Sequence, residues 1–272
     1  MRDTIVKAKQ KTIALRTSKT SLVVVFIAVL FGCSRSEVPI KDSNYALHQK
    51  QQVIIVHGLA RSAASMEEMS ERVAHSGYQV CVVDYPTLGQ AIDKTLHESS
   101  AQIDQCIHKF NRELSQVDGS KVHFVGHSLG GLVIRHYLAQ KNSITHSPHF
   151  GEVVFVGTPN KGSDVADFFS SLWLLPLAGG TAASLTTHSE SLPNSLPDPN
   201  YAFGVIAGTD SYPILKYMFD NSNDGLVSVE STQLAGMQDF VAVNITHDSL
   251  RSDPQVTDLI VNYLNQRRFV SQ

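Results

Sequence analysis

Lys121-Val122-His123-Phe124-Val125-Gly126-His127-Ser128-Leu129-Gly130-Gly131-Leu132-Val133-Ile134 is the stretch that decides how this 272-residue chain is read. Residues 121–125 have the composition of a strand. Leu132, Val133, Ile134 and Tyr137 sit at helical spacing and predict a helix over 129–141. At the junction stands Gly-x-Ser-x-Gly, in the strand–turn–helix setting that the pattern requires. So tight a turn holds its serine in a strained backbone conformation, and a side chain at Gly126 or Gly130 would strike the neighbouring helix or strand. The strain pushes the hydroxyl out above the sheet, where the helix aims its first N–H groups and positive dipole end. Ser128 therefore reads as a nucleophile; the alternative is a capping serine in a glycine-rich turn.

Outward from this block, short β-branched runs recur at 53–56, 78–83, 152–156, 203–207 and 240–244. They are almost continuously apolar, as strands covered on both faces are. Amphipathic segments at about 65–76, 98–114, 163–175 and 254–266 alternate with them and predict helices. The alternation predicts an α/β fold with a doubly wound, mostly parallel sheet, whose functional groups gather beyond the carboxyl ends of the strands. Residues 163–200 are longer than a plain crossover needs. They begin with apolar residues (Phe168, Phe169, Leu172, Trp173, Leu174, Leu175) and end in a run rich in Ser, Pro and Asn. A lid-like excursion is one reading and ordinary core packing the other.

A serine hydroxyl needs an adjacent base. Of twelve histidines, His247 alone follows the last strand and precedes the last helix, where a base belongs in the order Ser, Asp or Glu, His. Two acids lie between Ser128 and His247 beyond a strand end. Asp224, in the rigid turn Asn223-Asp224-Gly225, is preferred to Asp210, which lies closer to the strand at 203–207. The tetrahedral oxyanion of acyl transfer needs two preset N–H donors. These are assigned to the amides of Leu129, next to the serine, and Leu59, in the loop His57-Gly58-Leu59-Ala60 after the first strand. His57 is given a hydrogen-bonding part there rather than a catalytic one.

Together, His57-Gly58-Leu59, Gly126-His127-Ser128-Leu129-Gly130-Gly131, Gly157-Thr158-Pro159-Asn160-Lys161-Gly162-Ser163, Asn223-Asp224-Gly225-Leu226-Val227 and Thr246-His247 resemble the α/β-hydrolase superfamily. More narrowly they resemble its bacterial lipases and esterases, over about residues 52–266. The resemblance implies a Ser128–Asp224–His247 triad and hydrolysis of carboxylic esters, small or lipid, through an acyl-enzyme without a cofactor. Some such lipases carry a structural calcium, but no residues here match such a site. Acyl transfer, phospholipase or thioesterase activity with the same triad remain alternatives, as does a non-catalytic envelope scaffold.

The N-terminus carries a different message. Residues 1–32 hold six basic residues against Asp3 and close with an eleven-residue apolar run, 22–32, which is the pattern of an export signal. Leu30-Phe31-Gly32-Cys33 resembles the lipobox of bacterial lipoproteins, implying lipidation of Cys33, a polar tether over 33–50 and a domain over 51–272. The body would then sit in the bacterial cell envelope, held to a membrane by its lipid. An ordinary signal or anchor and a buried strand are the alternatives. Without residues 1–32 the chain keeps 16 of its 22 basic and 24 of its 25 acidic residues, a net charge of −8. So acidic a body excludes nucleic acid as a partner. The remaining Cys81 and Cys106 read equally as a disulfide or as two buried thiols.

Overall fold

The computed structural model of the protein describes residues 51–114, 119–163, 165–167, 180–211 and 221–270. The export segment, Cys33 and the tether lie outside the described residues, as do residues 168–177 of the apolar stretch.

Six strands form one sheet: β1 (Gln51–Val56), β2 (Gln79–Val83), β3 (Lys121–His127), β4 (Phe150–Val156), β5 (Phe203–Gly208) and β6 (Asp239–Val243). Their order is β2-β1-β3-β4-β5-β6 and every pairing is parallel. Parallel sheets are covered on both faces, and the strand sequences divide accordingly. Ile54, Val56, Phe124, Val153, Phe155 and Val205 pack on one side against α2 (Ile92–Leu114) and α3 (Leu129–Gln140). Val53, Ile55, Val125, Val154, Val156 and Ile206 pack on the other against α1 (Glu67–His75) and α4 (Pro254–Gln266). The period of two that sends alternate side chains to opposite faces thus makes two cores from one set of apolar strands.

Helix ends follow local chemistry where local chemistry is available. The Asp253 side chain accepts the Gln255 N–H and Pro254 fills the first turn of α4, so that helix spans 254–266 as its sequence predicts. Helix α2 begins six residues before the expected 98. Its first turn is braced by a 2.9 Å hydrogen bond between the buried hydroxyls of Thr95 and Thr181, a partner 86 residues away. Of the helix expected over 163–175, residues 165–167 are helical. The run 187–200 contains only a single-turn helix, Leu192–Ser195.

Cys81 on β2 and Cys106 on α2 are bonded, which resolves the open choice between bridge and thiols. Closing a loop across 25 positions restricts the unfolded chain and contributes about 3.5 kcal/mol in the loop-entropy model.

The chain runs from β1 outward to β2, then crosses back to β3 and continues to β6. The order therefore reverses between β1 and β3, and the crevice at their carboxyl ends is where open α/β sheets bind ligands. The loops after β1 and β3 carry His57–Arg61 and Ser128.

Candidate active site

Ser128 has φ 56° and ψ −127°, a backbone conformation that costs a non-glycine residue of order 1–3 kcal/mol. The surroundings enforce it. A Cβ on Gly126 would lie 2.5 Å from the Gly131 nitrogen, and one on Gly130 would lie 2.1 Å from the Val56 carbonyl oxygen of β1. Both flanks of the serine must therefore be bare for α3 to sit this close to the sheet. The Ser128 N–H donates to Val156 O of β4 at 2.9 Å, which fixes the top of the turn.

His247 reaches this hydroxyl from the loop after β6, with Nε2 2.9 Å from Ser128 Oγ. On the far side of the ring, Nδ1 lies 2.7 Å from Asp224 Oδ2. With the Nδ1 proton donated to the carboxylate, Nε2 is the free acceptor for the serine proton. Asp224 is fully buried, and its other oxygen accepts the N–H groups of Leu226 (3.0 Å) and Val227 (2.8 Å). Those two bonds are the turn foreseen in Asn223-Asp224-Gly225, closed by Gly225 N–H donating to Asn223 Oδ1. Asp210 is exposed, and among the described residues it makes no bond to His247. Three residues far apart in sequence thus form one hydrogen-bonded chain from a buried carboxylate to a hydroxyl.

The loop after β1 lies against the serine, close enough that a Cβ on Gly58 would be 2.8 Å from Ser128 Cβ. His57 holds this loop in shape. Burial pushes its pKa down, so the ring is neutral; Nδ1–H donates to Gly58 O at 2.9 Å, and Nε2 accepts the Tyr85 N–H at 3.4 Å. Gly58 O and Leu59 N–H are opposite ends of one trans peptide, so fixing the carbonyl toward His57 turns the Leu59 N–H the other way. Leu129 opens α3, where the first N–H groups have no partner within the helix. Among the described residues, neither the Leu59 nor the Leu129 N–H donates to a protein acceptor. Both are available to a ligand.

His127 is a participant that the sequence did not reveal. Its ring is buried with its centroid 5.0 Å from that of His247, and Nε2–H donates to the His247 carbonyl at 3.0 Å. Burial, reinforced by the neighbouring His247, lowers its pKa to about 3, so it is a neutral donor. His247 N–H donates in turn to Asp224 O at 2.9 Å. Every polar group of His247, main chain and ring, therefore has a fixed partner. The bond from His127 spans 120 positions, and nothing in the local pattern around Ser128 foretells it.

Beside Ser128 opens a cavity of about 420 Å³. Leu59, Pro159, Leu226 and Val227 line it from the sheet loops, and Val165, Ala166, Ala182 and Leu185 line it from the excursion. The described parts of 163–200 thus form a wall of the site, and Ser163 Oγ ties their start to Leu226 O at 2.7 Å. The arrangement sets a hydroxyl against an imidazole, with two amides that meet no acceptor among the described residues and an apolar slot beside it.

Comparison with known proteins places the fold. The family model of the alpha/beta hydrolase fold matches residues 52–189. No curated protein sequence matches the chain. Among solved structures, the Bacillus licheniformis lipase BlEst2 in its mature form superimposes with a TM-score of 0.61 at 20% identity, covering 80% of this chain and 91% of that one. A metagenomic carboxyl esterase gives 0.53 at 17% identity over 73% of this chain and 65% of its own. Phospholipase PlaB from Legionella pneumophila, in complex with thio-NAD, gives 0.58 at 16% identity over 79% and 58%. At these identities the likeness is one of fold.

Proposed function

This chain belongs to the alpha/beta hydrolase fold family, and from that premise we propose that it hydrolyses carboxylic esters through an acyl-enzyme on Ser128. The observation that carries the reading is the continuous chain Asp224–His247–Ser128, with links of 2.7 and 2.9 Å. In the proposed reaction Ser128 Oγ attacks the ester carbonyl while His247 Nε2 takes its proton. The oxyanion is held by the Leu59 and Leu129 amides, and His247 then protonates the departing alcohol. Water, deprotonated by the same imidazole, releases the acid. The Asp224 carboxylate, 2.7 Å from Nδ1, stabilises the transient imidazolium. No step needs a metal or a redox cofactor.

The acyl chain is assigned to the apolar cavity, which makes chain length the direct test. On p-nitrophenyl esters, kcat/KM is expected to rise by up to about 15-fold from acetate to butyrate, since each of the two added methylenes is worth about 0.8 kcal/mol when buried. A fluorophosphonate should label Ser128. Absence of both hydrolysis and labelling overturns the reading. Labelling without hydrolysis, together with product formation only when an acceptor alcohol is added, replaces hydrolysis with acyl transfer.

We further propose that the domain is a lipid-anchored envelope protein. The export pattern ending at Cys33 supports this, and so does the Cys81–Cys106 bond, since disulfides persist in oxidising compartments. The full chain should sediment with membranes and incorporate labelled palmitate, and Cys33→Ala should incorporate none; a full chain that takes up no label sinks the lipid anchor.

A further inference from the structure

The two loops that flank Ser128 come from strands that do not touch. β1 and β6 are separated in the sheet by β3, β4 and β5, so no sheet hydrogen bond sets the distance between the loop bearing Leu59 and the loop bearing His247. Both must nevertheless meet one carbonyl group, and an error of an ångström in such placement is costly. A carboxylate bridges them. Asp248 Oδ1 accepts from Arg61 Nη2 at 2.7 Å and Nε at 3.1 Å, and Arg61 lies two residues after Leu59. From the other side Arg251 donates through Nε to Oδ1 at 3.1 Å and through Nη2 to Oδ2 at 3.0 Å.

Each arginine is itself tied to the main chain. Arg61 Nη1 donates to Ala60 O at 3.1 Å, next to the Leu59–Ala60 peptide, and Ala60 N–H donates to Thr87 Oγ1 at 2.9 Å. Arg251 Nη1 donates to Ser65 O at 2.7 Å, in the turn that follows the β1 loop. A displacement of Asp248 would therefore be felt at Ala60 and Ser65 on one side and at His247, its chain neighbour, on the other. Arg61 and Asp248 also line the cavity, so the bridge closes its rim.

We propose that the Arg61–Asp248–Arg251 bridge is a clasp, and that its members are positioning residues setting the distance between the Leu59 amide and the His247 imidazole. This rests on the ester-hydrolase reading above. The hydrogen bonds from Arg251 and Arg61 hold the Asp248 carboxyl well below the usual carboxylate range, so the clasp stays ionised down into acid. Arg61 and Asp248 are each 39% exposed, however, and so are open to screening by salt.

The test uses the full chain with Arg61→Gln, Asp248→Asn and the double variant, on p-nitrophenyl butyrate at 10 mM and 500 mM NaCl. Each single variant is expected to lose about tenfold in kcat with KM changed less than twofold. The double variant should be no worse than the poorer single one, because both remove the same device. Wild-type kcat should fall as salt rises while that of the double variant stays flat. Melting temperatures within about 2 °C of wild type would exclude a general loss of structure, as befits partly exposed pairs. Should Asp248→Asn fail to fold, Arg61→Gln and the salt series on wild type and Arg61→Gln decide alone. Additive losses, or an Arg61→Gln effect on KM alone with Asp248→Asn silent, overturn the clasp and make Arg61 a substrate contact. An inert, unlabelled wild type instead overturns the hydrolase reading beneath it.

Discussion

Ser128→Ala is expected to lower kcat for p-nitrophenyl ester hydrolysis by about 10⁶-fold, with the fold intact. The size follows from what remains. Alanine keeps the Cβ and the same backbone, so the variant meets no new strain at φ 56° and loses only the hydroxyl. His247 and Asp224 keep their 2.7 Å bond, and the Leu59 and Leu129 amides remain available, but no nucleophile stands between them. Residual catalysis comes only from binding and from the amides acting on a carbonyl attacked by water. The check is steady-state hydrolysis with circular dichroism as the fold control. A folded Ser128→Ala protein that retains more than about a hundredth of wild-type activity would require another nucleophile and remove the proposed mechanism.

Much of this was legible because the chemistry is local. The six strands were readable as apolar runs because a parallel sheet covered on both faces tolerates little else. The turn at Ser128 announced itself through two glycines whose absence of side chains is forced by Gly131 and Val56. Asp224 could be preferred to Asp210 because a turn rich in Asx residues holds its carboxylate by the next N–H groups, and Leu226 and Val227 do so. What sequence could not show depends on contacts between distant positions. The first turn of α2 is held by Thr181, His127 is tied to a carbonyl 120 residues away, and Arg61 grips a carboxylate 187 residues away. The Cys81–Cys106 bond belongs to the same class, since it depends on how closely α2 packs on β2. Such pairs leave no periodicity behind.

Asp224→Asn is expected to cost about 10⁴-fold in kcat while leaving the protein folded, and Asp210→Asn to leave kcat within about twofold of wild type. The amide has two ways to sit in the carboxylate's place, and both fail. With its oxygen toward Leu226 and Val227 it keeps those two bonds, but its NH₂ then faces His247 Nδ1. The imidazole must accept there, its proton moves to Nε2, and the atom 2.9 Å from Ser128 Oγ becomes a donor that cannot take the serine proton. Turned the other way, the amide oxygen accepts from Nδ1–H and the tautomer is right, but the NH₂ meets the N–H groups of Leu226, which is half-buried, and Val227, which is buried. Leaving a buried donor unpaired costs about 1–3 kcal/mol, so the first arrangement is favoured and the wrong tautomer dominates. Even in the second, no negative charge faces the imidazolium that forms in the transition state. Asp210, exposed on the loop after β5, has no part in either term. Measured kcat for the two variants therefore separates the acids cleanly: a large loss at Asp210 with little at Asp224 would reassign the orienting carboxylate.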